Sequence, residues 1–285
     1  MAGPARFCES IAPGLAWQVE GTLLAAGQSP HQRWEVWQTP AFGRLYRLDG
    51  RAMASEADSF LCHEPLIHIA GLALPQLRRA LVLGGGDGAS CAELLRYPEL
   101  QEIVLAELDP AVVALAREHL PALHRGAFED ARVQVVLGDA ARYVTGWLPA
   151  DGTFDLVVFD LTDPDTAAAP LFEPAFLQAC ARLLGPHGAL SLHLGSPHWQ
   201  HDAIRTLSAR LTRLFTHVTP VLTHVPLYGG AWTLAVASAT LAPRRLSAAR
   251  LEARLARLAG PPLRLIDPDQ YHRLLACPPW QTGPA

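Results

Sequence analysis

Between Ala80 and Gly88 the chain runs through four apolar residues, three glycines, Asp87 and a fourth glycine. An apolar run of that kind reads as a buried strand, and the residues after it, Ala89 to Tyr97, read as a helix. Strand, glycine turn and helix together leave the main chain open to close approach by a nucleotide-like ligand. The turn also carries its own carboxylate, and acids recur at the ends of later strands.

From Arg79 onward, strands and helices alternate. Strands are predicted at Ala80–Leu83, Ile103–Ala106, Val133–Leu137, Leu156–Phe159 and Ala189–Leu194. Ala111–Leu120 is one of the intervening helices, with Asp109 as N-cap and Pro110 at its first position. Such alternation predicts a parallel sheet covered by helices on both faces. The segment between His217–Thr223 and Trp232–Ser238 is too short for a helical crossover, so the last strand is expected to be antiparallel. Upstream, from about Leu15 to Ala54, the apolar residues alternate at period two, with turn signals at Pro40–Gly43 and Asp49–Gly50. A helix is predicted from Glu64–Pro65 to about Leu74, and an arginine-rich amphipathic one over Ser247–Leu258. The expected fold is therefore α/β. It is a Rossmann-like doubly wound sheet of methyltransferase type that ends in an antiparallel hairpin, preceded by a small N-terminal β unit. We divide it into residues 1–75, the β unit with its connecting helix, and residues 76–285, the larger domain with the C-terminal helix and tail.

Composition narrows the function. The net charge of −4 argues against a nucleic-acid surface, which needs clustered cations. The 285 residues include no lysine, which excludes a lysine Schiff base and a P-loop lysine. The five cysteines, Cys8, Cys62, Cys91, Cys180 and Cys277, have no paired spacing, so neither a zinc cluster nor a disulfide framework is expected. His63, Glu64 and His68 lie close together, but an i, i+5 separation puts the two histidines on different helix faces, against a metal site. With no signal peptide pattern and no apolar run long enough for a bilayer, a cytoplasmic protein is expected.

Open α/β sheets bind ligands at the carboxyl ends of their strands. In this chain those ends carry Asp87, then Glu107, then Asp139 after Gly138, then Asp160 and Asp163. Glu107 follows the glycine turn by the spacing at which a carboxylate takes ribose hydroxyls. A single acid after a strand is ordinarily a turn former or cap, and Asp109 is assigned to capping. Several converging acids would repel one another without a cation between them, so a cationic ligand is expected. Leu83 precedes the glycines and Asp87 lies among them. A carboxylate there repels a carboxylate on the donor but welcomes a bare ammonium. That arrangement favours a decarboxylated donor and transfer of an aminopropyl group.

At this point the chain resembles the spermidine synthase family of polyamine aminopropyltransferases over nearly its whole length. The resemblance is carried by Gln32, Phe42–Gly43 through Leu48–Asp49–Gly50, Glu56–Phe60 with His63–Glu64, the Gly84–Gly88 turn, Glu107–Asp109, Gly138–Asp139, Asp160–Pro164 with Leu171–Phe172, and Pro226–Tyr228. It implies that decarboxylated S-adenosylmethionine is the co-substrate and an amine or polyamine the acceptor. Neither metal nor redox cofactor is implied. By the same resemblance Gln32 contacts the methylthioadenosine moiety, Gly84 and Gly86 line the donor turn, Glu107 takes the ribose, and Asp139 with Ala140 the adenine. Asp87 holds the aminopropyl ammonium, His63 lines the polyamine site, Asp160 is the base, and Asp163 and Tyr228 orient the attacking amine. The family also implies a homodimer or tetramer.

The donor half matches the family well, whereas the acceptor half departs from it. Met53 replaces a usual glutamine, Cys62 a usual tyrosine, Ser59 a common glutamate and His193 a frequent glutamine, and Asp165–Ala168 replaces a Gly-Pro-Ala gate. An acceptor other than simple putrescine is expected, because Met53 and Cys62 exchange polar groups for apolar wall. Three other readings share parts of the pattern: an S-adenosylmethionine-dependent methyltransferase, a non-catalytic polyamine- or nucleoside-binding paralogue, and an NAD-dependent oxidoreductase. Asp87 argues against the first, Asp160 against the second, and the lack of a second catalytic domain pattern against the third.

Overall fold

A computed structural model describes residues 5–147, 152–161 and 168–276. The N-terminal unit is a five-stranded antiparallel sheet in sequential order: β1 (Ala5–Ala12), β2 (Leu15–Gln28), β3 (Arg33–Thr39), β4 (Gly43–Leu48) and β5 (Arg51–Ser55). It begins ten residues earlier than the alternation predicts, since β1 pairs with the first half of β2. The turn between β4 and β5 uses Asp49 and Gly50, both at positive φ, as the sequence suggests.

The larger sheet contains β6 (Arg79–Gly84), β7 (Glu102–Glu107), β8 (Val133–Leu137), β9 (Phe154–Asp160), β10 (Leu184–Gly195), β11 (His217–Val225) and β12 (Gly230–Ser238). Its order is β8-β7-β6-β9-β10-β12-β11, parallel throughout except for β12, which runs antiparallel to both neighbours. This is the doubly wound sheet closing in a hairpin that the sequence predicts. Strand order reverses between β6 and β9, and a ligand crevice belongs at that switch point. The register pairs Gly84 with Asp160 across it.

Nine helices lie among the described residues: α1 (Ser59–Gly71), α2 (Ala89–Leu94), α3 (Pro110–His119), α4 (Pro121–His124), α5 (Ala140–Gly146), α6 (Pro174–Leu183), α7 (His201–Leu214), α8 (Ala248–Leu255) and α9 (Pro268–Leu274). Asp109 caps α3 by accepting from the Ala111 N–H at 3.0 Å, with Pro110 at the first position. None of these helices is long and apolar enough to cross a membrane.

The start of α1 corrects the sequence reading. The helix begins at Ser59 rather than near Glu64–Pro65, and Pro65 lies inside it. A proline there removes the hydrogen bond that the carbonyl four residues earlier would accept. That carbonyl belongs to Leu61, and it takes the Thr223 hydroxyl of β11 at 2.6 Å instead. Cys62 to Gly71 are all buried, because α1 packs against α2 and against β9 to β12. A helix buried on all sides carries no one-sided stripe from which to read its limits. The acids and histidines of this region have structural partners. Glu64 accepts from the backbone N–H groups of Arg264 and Leu265, which anchors the C-terminal segment. His68 bridges Tyr97 and Glu93, each at 2.9 Å.

Candidate active site

The glycine turn brings two strand ends into contact with it. Gly85 has φ +66°, and a Cβ there would meet an Asp160 carboxylate oxygen at 2.7 Å. A Cβ on Gly86 would meet the Glu107 carboxylate at 2.7 Å. Glycine is therefore required so that the acids ending β7 and β9 can approach the main chain. Glu107 makes use of that approach: it accepts from the Gly86 N–H at 3.1 Å and from the Asp109 N–H at 2.8 Å. Burial nevertheless pushes Glu107 up to about 7, against the pull of those two bonds.

Gln32, His63, Gly84, Gly86, Asp87, Glu107, Asp139, Ala140, Asp160 and Tyr228, all anticipated from sequence, line one cavity of about 860 Å³. Asp163 and residues 165–167 of the altered gate segment lie outside the described residues, while Ala168 lines the cavity. Gln32 donates its amide N–H to Asp109 at 3.0 Å, so Asp109 positions a cavity residue as well as capping α3. Asp139 caps α5 through the Ala141 N–H at 2.8 Å. Tyr228 donates its hydroxyl to the Met53 carbonyl at 2.6 Å, and its turn is tied to α1 by Asp58, which accepts from the Leu227 N–H at 2.8 Å.

At the centre, one nitrogen of His63 and one oxygen each of Asp87 and Asp160 lie within 4.8 Å of one another, a spacing that suits one cationic group. Asp87 accepts from the Ala89 N–H at 2.9 Å and from the Tyr46 hydroxyl at 3.1 Å. Burial of Tyr46, with Asp87, Asp160 and Glu107 nearby, pushes its titration far up, so it stays a donor. Asp160 accepts the Ser90 hydroxyl at 2.7 Å, with His63 Nε2 at 3.7 Å and His193 Nε2 at 3.8 Å. The two aspartates are driven apart. Burial raises Asp87, and the charge of Asp160 adds to that against the opposite pull of His63. Burial would raise Asp160 too, but the His193 N–H, the charge on His63 and the Ser90 hydroxyl hold it below the usual carboxylate range. His63 donates Nδ1–H to the Ser59 carbonyl at 2.9 Å. Burial lowers its proton affinity, but the two aspartates outweigh burial and raise it. Asp160 is thus the ionised acid and Asp87 the one that protonates first.

Sequence reasoning missed Tyr46, Ser90 and Trp232. Tyr46 sits in a strand whose alternation looks the same for a packing residue and a functional one. Ser90 has no signal beyond its place after the glycine turn. Among the departures from the family, Met53 lines the cavity, and buried Cys62 lies 4.0 Å from His193.

Residues 59–245 match the spermine/spermidine synthase domain family. A polyamine aminopropyltransferase of Nitrosomonas europaea is 44% identical over 95% of this chain and 83% of its own. Polyamine aminopropyltransferase 1 of Pseudomonas aeruginosa is 35% identical over 90% of this chain and 88% of its own. Among solved structures, a spermidine synthase in complex with the transition state analogue AdoDATO superposes with a TM-score of 0.90 at 25% identity, covering 98% of this chain and 94% of its own. Spermidine synthase from Thermotoga maritima superposes with a TM-score of 0.88. Likeness of that extent, reaching past the fold into the sequence, makes the chain a member of the spermine/spermidine synthase family.

Proposed function

We propose that the protein transfers the aminopropyl group of decarboxylated S-adenosylmethionine to an amine or polyamine and releases 5'-methylthioadenosine. The observation that carries this reading is Asp87, a buried carboxylate inside the glycine turn and beside Asp160. A donor carrying a bare ammonium offsets the cost of a buried acid there, whereas a donor carboxylate would add to it.

In this reading Glu107 receives the ribose hydroxyls, and Asp139 with Ala140 borders the adenine. Gln32 is held by Asp109 against the methylthioadenosine moiety, and Gly84 and Gly86 admit the donor to the turn. The acceptor enters between His63, Tyr228 and Asp160, with Asp163 as a further orienting acid. An alkyl ammonium cannot attack until it loses a proton. Asp160, kept ionised, attracts the ammonium and accepts that proton as the nitrogen attacks the carbon beside the sulfonium. The new C–N bond forms as the C–S bond breaks, and its electron pair stays on sulfur, which leaves as a neutral thioether. Metal and redox chemistry have no part in this scheme.

The acceptor in this reading is not simply putrescine, since Met53 gives the cavity apolar wall, whereas Cys62 is buried and is not one of the lining residues. In this reading the protein is cytoplasmic and a homodimer or tetramer, and the exposure of Leu15, Leu23 and Leu24 of β2 supports the assembly. The division into residues 1–75 and 76–285 belongs to the same proposal.

The test is an assay of purified protein with decarboxylated S-adenosylmethionine against a panel of diamines and polyamines, followed by methylthioadenosine release. Release with a longer or substituted amine is expected. Methyl transfer from intact S-adenosylmethionine would overturn the reaction, and putrescine as clearly the best acceptor would overturn the acceptor reading. Calorimetry with methylthioadenosine, both donors and NAD separates the remaining alternatives.

A further inference from the structure

His193 stands near the carboxyl end of β10 and meets groups from three other elements. The Trp232 indole of β12 donates to His193 Nδ1 at 2.9 Å. An indole nitrogen only donates, so Nδ1 is an acceptor and the ring's proton sits on Nε2. That nitrogen faces Asp160 Oδ1 of β9 at 3.8 Å and Cys62 Sγ of α1 at 4.0 Å. A second proton would have to go on Nδ1, where it would oppose the indole N–H. Both rings are buried, at 8% and 7% exposure, so water does not readily replace the indole.

We propose that His193 is a positioning residue of the transfer reaction, locked by Trp232 as a neutral ring that turns Nε2–H toward the Asp160 carboxylate and adds no second positive charge to that of His63 beside it. The inference rests on the aminopropyltransferase reading. A histidine free at both nitrogens takes up a proton near neutral pH. A second cation beside Asp160, added to His63, would compete further with the acceptor ammonium for the same carboxylate. The titratable groups facing His193 are Asp160 and Cys62; His63 and Asp87 cluster around Asp160, and Tyr228 lies against Trp232 with ring centroids 4.8 Å apart. The carboxylates among these would draw a proton onto His193, and the Trp232 bond opposes that.

Full-length wild type, His193→Ala, His193→Gln, Trp232→Phe and the double variant Trp232→Phe with His193→Gln are compared between pH 5.5 and 8.5. Decarboxylated S-adenosylmethionine is the donor, and putrescine and spermidine are the acceptors. His193→Ala is expected to lower kcat about a hundredfold, the scale of a misplaced reacting group, with the donor KM unchanged. His193→Gln, a donor that does not titrate, is expected to recover most of that loss. Trp232→Phe keeps a ring against Tyr228 but frees Nδ1. It is expected to add an acid limb to kcat/KM for the acceptor, falling about tenfold per pH unit below the imidazole range, and the double variant is expected to lack that limb. A Trp232→Phe profile parallel to wild type overturns the proposal. Histidine-selective 15N spectra give a readout independent of activity. The His193 signals, assigned by their loss in His193→Gln, are expected to stay those of a neutral Nε2–H ring from pH 8 to 5.5. A cationic ring in that range overturns the lock even if transfer is observed. A neutral ring in a wild type inactive with every amine upholds the lock and counts against the transferase reading alone.

Discussion

The Tyr46 hydroxyl donates to Asp87 at 3.1 Å, so a residue of the N-terminal sheet supplies a hydrogen bond to the acid in the glycine turn of the larger one. The two sheets therefore meet at the group proposed to hold the donor's ammonium. Removing the hydroxyl leaves the Ala89 N–H to stabilise the ionised form. Tyr46→Phe then raises the proton affinity of Asp87 further and leaves less carboxylate at neutral pH. A hydrogen bond to a charged group contributes about 1.5 to 3 kcal/mol, so the KM for decarboxylated S-adenosylmethionine should rise at least about tenfold. At saturating donor, kcat should change little. Steady-state kinetics with varied donor checks this, and an unchanged KM would show that the bond is only a structural tie.

Asp160 predicts a different signature. Asp160→Asn keeps the shape and the Ser90 contact but cannot accept a proton, so kcat should fall by about 10² to 10⁴. In the wild type Asp160 is held below the usual carboxylate range, and it is ionised above that depressed value. Its contribution to rate is thus present throughout pH 5 to 8 and lost only as pH falls further. An acid limb near pH 7 in single-turnover experiments must come from another group, and it should survive if Asp160 is replaced and residual turnover is followed.

Glu107 is the source expected for such a limb in donor binding. Burial raises it from 4.5 to about 7, and the ionised form is the one proposed to accept the ribose hydroxyls. Affinity for methylthioadenosine should therefore rise through pH 7, by up to about tenfold per unit on the acid side. Glu107→Gln should flatten that profile. The sign for stability is opposite. An acid whose folded value lies above its unfolded one favours the fold when protonated, so this group costs stability progressively as pH rises from 4.5 to about 7. Calorimetric titration and thermal melts at several pH values measure the two effects separately.

The unequal legibility of the chain has physical causes. The sheet was readable because fully buried parallel strands are apolar runs, and because a hairpin too short for a helix has to be antiparallel. The strand-end acids were readable because chain topology puts them on one edge. By contrast, the Pro65 signal misled: a proline inside a helix is tolerable only because Thr223, distant in sequence, satisfies the Leu61 carbonyl. Tyr46, Ser90 and Trp232 were invisible for the same reason. Each acts through a long-range contact, with Asp87, Asp160 and His193 respectively, that no local spacing encodes.

Met53 offers the most direct test of the acceptor. Its carbonyl is fixed by the Tyr228 hydroxyl, and its side chain lines the cavity. That bond uses only the main chain, so Met53→Gln can keep it while putting an amide of similar length into the wall. An amide gives a short diamine's second nitrogen a hydrogen-bond partner and leaves a polar group unpaired against a methylene chain. A site that provides such a partner discriminates much more strongly than one that differs only in apolar contact. Met53→Gln is therefore expected to shift the ratio of kcat/KM for putrescine over that for spermidine by about tenfold toward putrescine, equivalent to one hydrogen bond. The donor KM should stay the same, because Met53 is assigned to the acceptor side in the proposed reading. Competition assays with both amines in one reaction measure the ratio directly, and a ratio equal to wild type would mean that the apolar wall at Met53 does not select the acceptor.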